Sequence, residues 1–293
     1  MNLTYTSTQE NISETINDVL INEFDLSNRL RTKLIRNNLI TLNNNIVDTR
    51  TSIKKGDTIK IDLSFSENNS NIVPTQMDLD ILYEDKWFIV VNKPAHIAVH
   101  PSNLHYNDSL SNGIKYYFDK IGLKKKIRPV NRLDLNTSGI VIFAKSEYIH
   151  EQFSKQMLNN TFKKEYLCIV SGKLSESSGT INLPIARKCN SIIERCIDLE
   201  KGKNSITHFK VLNVFDNYSL IKCILETGRT HQIRVHLSAI GHPLLGDSLY
   251  GQESNLIKRQ ALHSCKIELF HPVFKKTMVF ECDLPSDMKN LLK

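Results

Sequence analysis

Three stretches carry side chains whose types and spacing could do chemistry. In RPVNRLDLNTSGIVIFAKS, Arg128 to Ser146, Asp134 stands between Arg132 and a Thr137-Ser138-Gly139 turn at the mouth of an apolar run. A carboxylate placed there can be partly desolvated while a nearby guanidinium keeps it ionised, which readies a weak nucleophile. The plainer reading is an Asp that satisfies turn N–H groups. In LETGRTHQIRVHLSAIGHPLLGDSLYG, Leu225 to Gly251, Arg229, His231 and Arg234 gather at a helix start. Free N–H groups there favour an anion, although a solvated basic helix end would look the same. His231 and His236 do not share a helix face as an i, i+4 zinc pair does, so no metal site is read here. In KKEYLCIVSG, Lys163 to Gly172, Tyr166 could stack on a planar ligand, with Lys164 assigned to the same face of a strand. A core tyrosine is the competing reading.

These groups need elements to hold them. WFIVV (Trp87–Val91) and IVIFA (Ile140–Ala144) are short continuous apolar runs, the pattern of buried strands, and Asn92-Lys93-Pro94 should stop the first. Ser146 can cap a helix whose Ile149, Phe153 and Met157 recur every four residues. Tyr166–Ser171 and Tyr218–Leu225 read as strands. A helix from about Thr230 carries Ile233, Leu237 and Ile240, with Gly241 as its C-cap. Further upstream, Ile12, Ile16, Val19 and Leu20 share one helical face, as do Leu30, Leu34 and Ile35. LITLNNNIVD reads as two short strands about an Asn-rich turn, and KKGDTIKIDL as a turn and an alternating strand. Ser64 to Gln76 is polar, Asn/Ser-rich and contains Pro74, which suggests a linker. Strands outnumber helices without alternating regularly with them, so the fold class is α+β rather than doubly wound.

Composition narrows the function classes. The chain has 293 residues, 40% of them hydrophobic and 24% charged, enough to bury a core. No stretch approaches a membrane span, and the opening MNLTYTSTQENISETIND does not read as a signal peptide. Six Cys without a C-x-x-C pair fit a reducing cytosol, so a cytoplasmic protein is expected. Nucleotide motifs such as G-x-G-x-x-G are absent, as are H-E-x-x-H and G-x-S-x-G, which points to chemistry by side chains alone. The net charge is +7. Residues 26–60 carry a local +6 from eight Lys/Arg against Asp48 and Asp57, and residues 76–293 carry +8. Two basic zones suggest a polyanion touched by both.

Together these stretches resemble the RluA-type pseudouridine synthases over nearly the whole chain. The carriers are DILYEDKWFIVVNKPAHIAVHPS, RPVNRLDLNTSGIVIFAK, KKEYLCIVSG, LETGRTHQIRVHLSAIGHPLLGDSLYG and RQALHSCKIELFHP. The first 63 residues resemble the RNA-binding domain named after the fourth small-subunit ribosomal protein, in a RluD-like arrangement. There Asn43-Asn44 replaces the usual Val-Asn-Gly turn.

The resemblance implies an α+β pseudouridine synthase fold with a central mixed, mainly antiparallel sheet and a small α+β RNA-binding domain. The boundaries expected are 1–63, a linker at 64–76, and a catalytic domain at 77–293. It makes Asp134 the catalytic aspartate, Tyr166 the aromatic that stacks on the target base, and Arg229 the cation that pairs with Asp134. Arg132 would flip or hold the nucleotide. Asn131 stands where many members have His; with Lys164, His231, Gln232 and Arg234 it is assigned to RNA contact. Arg29, Arg31, Lys33 and Arg36, with Lys54 and Lys55, would lie on RNA backbone, unless they are an ordinary solvated helix face. The implied activity is an isomerase acting on uridines of structured RNA, with large-subunit ribosomal RNA favoured and transfer RNA the alternative. No cofactor, metal or membrane is expected, and the chain should be a monomer. A non-catalytic RNA-binding factor of the same fold, and a nucleoside glycosidase releasing free uracil, are the competing classes.

Overall fold

The computed structural model describes residues 1–8 and 14–293, so Ile12 of the first expected helix face lies outside the described residues. A small four-stranded sheet comes first, made of β1 (Asn2–Thr6), β2 (Ile40–Leu42), β3 (Asn45–Ile46) and β4 (Thr58–Asp62) in the order β1-β4-β2-β3. Helices α1 (Ile16–Asn22) and α2 (Asn28–Arg36) accompany it. Thr15 and Asp18 form a reciprocal capping box that starts α1. Asn43 and Asn44 both take positive φ (50° and 67°), which closes the β2–β3 hairpin as a type I′ turn demands. Asparagine tolerates that conformation, so the departure from Val-Asn-Gly leaves the hairpin intact. Leu30 and Leu34 are buried, but Ile35 is exposed: the apolar stripe of α2 is one residue narrower than its spacing suggested.

The larger sheet contains β5 (Ile81–Glu84), β6 (Phe88–Lys93), β7 (Arg128–Pro129), β8 (Ser138–Ala144), β9 (Lys163–Ser171) and β10 (Ser178–Asn182). A two-stranded ribbon, β11 (Ile185–Arg187) and β12 (Arg195–Ile197), lies apart from it. The sheet is completed by β13 (Ile206–Val214), β14 (Tyr218–Leu225), β15 (Leu262–His271) and β16 (Lys276–Glu281). Its order is β10-β13-β14-β9-β15-β8-β6-β5, with β16 on β15 and β7 on β8. Among the described strands of this sheet every pairing is antiparallel except β8 with β15. The fold is therefore α+β around a mixed, mainly antiparallel sheet, as expected.

The apolar runs occupy its middle. All seven residues of β8 are buried, and β6 continues through Asn92 to Lys93 rather than stopping before them. Helices α3 (Leu110–Lys120), α4 (Glu147–Leu158), α5 (Gln232–Ala239) and α6 (Ser286–Lys289) flank the strands. Ser146 Oγ accepts from the Ile149 N–H at 3.3 Å and caps α4, whose Ile149 and Phe153 are buried. In α5, Ile233 and Leu237 are buried whereas Ile240 is partly exposed at the C-cap. Positive φ at Gly241 (84°) lets the chain leave the helix.

The connection at 64–76 has no regular structure, yet it is bound down. Glu67 receives both Nη1 and Nη2 of Arg128 at 2.8 and 2.6 Å, and Asn69 Nδ2 donates to the Lys125 carbonyl at 2.8 Å. One contiguous apolar cluster runs from Leu3, Leu20 and Leu34 to Phe88, Tyr148 and Phe153, joining the small sheet to the large one. Among the described residues no helix is long and apolar enough to cross a membrane.

Candidate active site

Asp134 lies in the loop between β7 and β8. The turn is Asp134 to Thr137, closed by the Thr137 N–H on the Asp134 carbonyl at 3.1 Å. Ser138 and Gly139 already belong to β8, so the expected Thr137-Ser138-Gly139 turn is corrected by three residues. Gly139 has a different reason to be glycine. Its φ is 113°, and a Cβ there would lie 2.2 Å from the Ser264 carbonyl oxygen of β15, the strand it pairs with in parallel.

Two buried cations hold the loop from below. Lys93 donates from Nζ to the carbonyls of Pro94, Ile97 and Leu135 at 2.8, 2.8 and 3.0 Å. Burial, with Arg259 adding and Asp134 opposing, pulls its pKa down to about 7. Arg259 donates from Nη1 to the Asn136 carbonyl at 3.1 Å and is itself clamped by Asp287. Asn131 is also structural: its Nδ2 donates to the Ile140 carbonyl and its Oδ1 accepts from the Ile142 N–H, both at 2.9 Å. The amide assigned to RNA contact is thus spent on β8.

The cation on Asp134 is not the one expected. Arg234, in the first turn of α5, places Nη1 at 3.3 Å from Asp134 Oδ2. Its Nε and Nη2 form a fork on Asp247 at 2.7 and 2.8 Å. Arg229 instead sits exposed at the rim, donating from Nε to the Asn204 carbonyl at 3.2 Å. The difference is positional. Arg234 emerges from a buried helix and meets a buried counter-ion, whereas Arg229 lies on the preceding loop. Gln232 fixes that loop by accepting from the Arg229 N–H and donating to the Ile206 carbonyl at 2.9 and 3.0 Å. With its amide fully engaged and buried, Gln232 is a strut rather than an RNA contact. His231 takes a left-handed conformation (φ 58°) ahead of α5 and turns Nε2 towards Asp134 Oδ2 at 3.8 Å. His236 points elsewhere, bonded to Thr207 Oγ1 and the Leu183 carbonyl.

Tyr166, on β9 between Cys223 and Ser264 of the neighbouring strands, is buried in the apolar cluster and also walls the cavity over Asp134. Tyr166 is thus a core residue that also lines the cavity. Burial raises its hydroxyl pKa, so it stays neutral. Lys164 lines the same cavity, and burial draws its pKa down. The cavity encloses about 880 Å³, with Arg132, Asp134, Lys164, Tyr166, Arg229 and His231 among its lining residues. That is ample for one extruded nucleotide. The Asp134 carboxylate, the Tyr166 ring and the cations of Arg132, Lys164 and Arg229 therefore share this open cleft, and Arg234 joins Asp134 and Tyr166 in a smaller pocket of about 60 Å³ beside it.

The RNA pseudouridylate synthase family model matches residues 87–239, more than half of the chain. The chain belongs to this family. RNA pseudouridylate synthases are isomerases that convert uridine to pseudouridine. The RNA pseudouridine synthase YhcT of Bacillus subtilis (strain 168), itself uncharacterized, is 44% identical over 87% of this chain and 84% of its own length. A protein named ribosomal large subunit pseudouridine synthase D, from Zymomonas mobilis, is 36% identical over 84% of this chain and 81% of its own. Human RNA pseudouridylate synthase domain containing 1 superposes with a TM-score of 0.58 at 26% identity, covering 73% of this chain and 93% of that one. The stretch of this synthase matched by the family model runs from Trp87 to the end of α5. It contains Asp134, Tyr166 and Arg234, but not Asp247 or Arg259, which hold the guanidinium and the loop. Sequence reading missed both of those, and Lys93, although each lies in a stretch that carries the resemblance.

The basic residues of α2 are only partly free. Arg29 and Arg36 are exposed, Arg29 with Nε 3.5 Å from Glu147. Arg31 donates from Nη1 to Asn17 Oδ1 at 2.7 Å and also to Asn28. Lys33 bridges Glu147 and Glu67 at 2.9 and 3.4 Å and lies 4.4 Å over the Phe65 ring. Three of the four therefore make contacts within the protein.

Proposed function

We propose that this synthase isomerises specific uridines in structured RNA, with large-subunit ribosomal RNA as its substrate class, and that Asp134 acts on the ribose of the extruded nucleotide. What carries the reading is the Asp134 carboxylate on Arg234 inside a cavity walled by Tyr166. The ribosomal assignment rests on likeness to proteins named for that substrate.

The chemistry suits these groups. The C1′–N1 bond breaks, the uracil turns over, a C1′–C5 bond forms, the C5 proton leaves and N1 gains one. No redox change or group donor enters the balance. One carboxylate can start it, either by attacking C1′ or by taking a sugar proton. Arg234 aims that carboxylate through its contact with Oδ2. The target base must leave its stack, and Tyr166 offers an aromatic wall for it. Exclusion of water lets the freed uracil re-add instead of escaping. Arg132, Lys164 and Arg229 around the opening would grip phosphates. Residues 1–63 act as an RNA-binding unit joined through 64–76 to a catalytic unit at 77–293, in a cytoplasmic monomer.

Tritium release from RNA carrying [5-³H]uridine tests the reading. Wild type should release label while Asp134→Asn should not, with RNA binding retained. Equal release by both proteins would remove Asp134 from the chemistry, and free uracil among the products would make the protein a glycosidase.

A further inference from the structure

Tyr250 lies beyond the residues matched to the family, on the side of His231 away from Asp134. The backbone N–H of Arg195, at the start of β12, donates to the Tyr250 oxygen at 2.8 Å, and His231 Nδ1 lies 2.8 Å from the same oxygen. An amide N–H can only donate, which occupies acceptor capacity on the phenol oxygen and favours the phenol proton pointing at Nδ1. The imidazole proton then stands on Nε2, facing Asp134 Oδ2. The opposite tautomer would set a lone pair against that carboxylate. Burial lowers the His231 pKa, with Arg234 and Arg195 adding and Asp134 and Asp247 opposing, so the ring is neutral near pH 7 and its tautomer matters.

The phenol is itself held. Asp247, which forks onto Arg234, also accepts from the N–H groups of Leu249 and Tyr250 at 3.1 and 3.3 Å, while Ser238 Oγ donates to the Tyr250 carbonyl at 2.7 Å. The Arg234 guanidinium lies 5.0 Å over the Tyr250 ring. A single turn, Asp247 to Tyr250, thus governs both groups that face the Asp134 carboxylate.

We propose that Tyr250 is a positioning residue that fixes His231 as the Nε2–H tautomer, so that Asp134 gains a second directional donor beside Arg234 when substrate closes the site. Bringing Nε2 about 0.8 Å closer would give an ordinary N–H···O length of about 3.0 Å, and catalytic hydrogen bonds are often long before substrate binds. The role rests on the proposed function of this cavity, but its first test needs no substrate.

Side-chain ¹⁵N NMR of His231 in the whole protein should show Nδ1 unprotonated and Nε2 protonated near neutral pH, and Tyr250→Phe should raise the share of the Nδ1–H tautomer. An Nδ1–H ring in wild type, or an unchanged tautomer in Tyr250→Phe, overturns the proposal. The second test sets two variants against each other. In His231→Gln the amide N–H₂ reaches the Nε2 position, whereas in His231→Asn it reaches only Nδ1. Asparagine tolerates the left-handed backbone at 231 better, so a merely structural role favours Asn. Positioning favours Gln: kcat should exceed that of the Asn variant by about 10-fold or more, with KM little changed. Equal kcat values, or a faster Asn variant, would refute the role. Should wild type isomerise no uridine at all, the reading of the cavity falls, and the NMR result still decides the tautomer.

Discussion

Nη1 of Arg234 lies 3.3 Å from Oδ2 of Asp134, while the other face of the same guanidinium is forked onto Asp247. Asp247 is almost wholly buried and fixes the plane of the guanidinium, so Nη1 can meet only one oxygen of Asp134. On the proposed function, the other oxygen is the one offered to the ribose.

This arrangement separates the two arginines. Arg234→Lys keeps the charge but loses the fork, and a hydrogen bond to a charged group is worth about 1.5–3 kcal/mol. Its kcat should fall by about 10- to 150-fold, measured by single-turnover pseudouridine formation. Arg229→Lys, at the rim, should raise KM and leave kcat within about 3-fold. A larger kcat loss at Arg229 would return the pairing role to it.

Stability should depend on a buried histidine. His263 bonds to Ser138 Oγ and Cys282 Sγ at 2.9 and 3.2 Å, and burial depresses its pKa to about 4. The folded protein therefore resists a proton that the unfolded chain accepts near pH 6.5. The contribution is intact above about pH 6.5, declines as pH falls, and is lost below about 4, at about 3 kcal/mol in all. Thermal melts from pH 8 to 4 should show a shallower acid limb for His263→Gln, which keeps a donor and an acceptor but does not titrate. An identical limb would place the acid sensitivity elsewhere.

The exposed arginines of α2 offer a test of the N-terminal part that deletion cannot. Removing residues 1–75 would strip the shared apolar cluster, so charge substitution is the sounder probe. Arg29→Gln with Arg36→Gln should weaken RNA binding at low salt and reduce the slope of log K against log salt by about 1 to 2. Turnover at saturating RNA should stay the same. An unchanged salt slope would make the patch an ordinary solvated face.

Gly139→Ala should be among the most disruptive small changes. Its added methyl meets the Ser264 backbone and a φ of 113° that suits only glycine. Strain and overpacking together predict a loss of about 3 kcal/mol or more, read as a lowered denaturation midpoint. A midpoint within error of wild type would mean that β8 and β15 can separate freely.

The sequence by itself determined many of the elements and singled out Asp134 as the candidate acid. Continuous apolar runs read as interior strands, a serine before a four-residue repeat marked the start of α4, and an Asn-rich stretch marked a hairpin. These are local matters, settled by side-chain periodicity and backbone preference within a few residues. Which cation meets Asp134 was not local. Arg229 and Arg234 sit in one short stretch, and spacing cannot say which faces inward. The choice came from docking α5 against the sheet and from the Asp247 turn, which presents a buried carboxylate to only one of them. Likewise Lys93 and Arg259 reach the Asp134 loop from strands and turns far away along the chain. Burying a charge demands a partner wherever the fold can bring one, so the site's chemistry was written in residue types and its pairing was decided by packing.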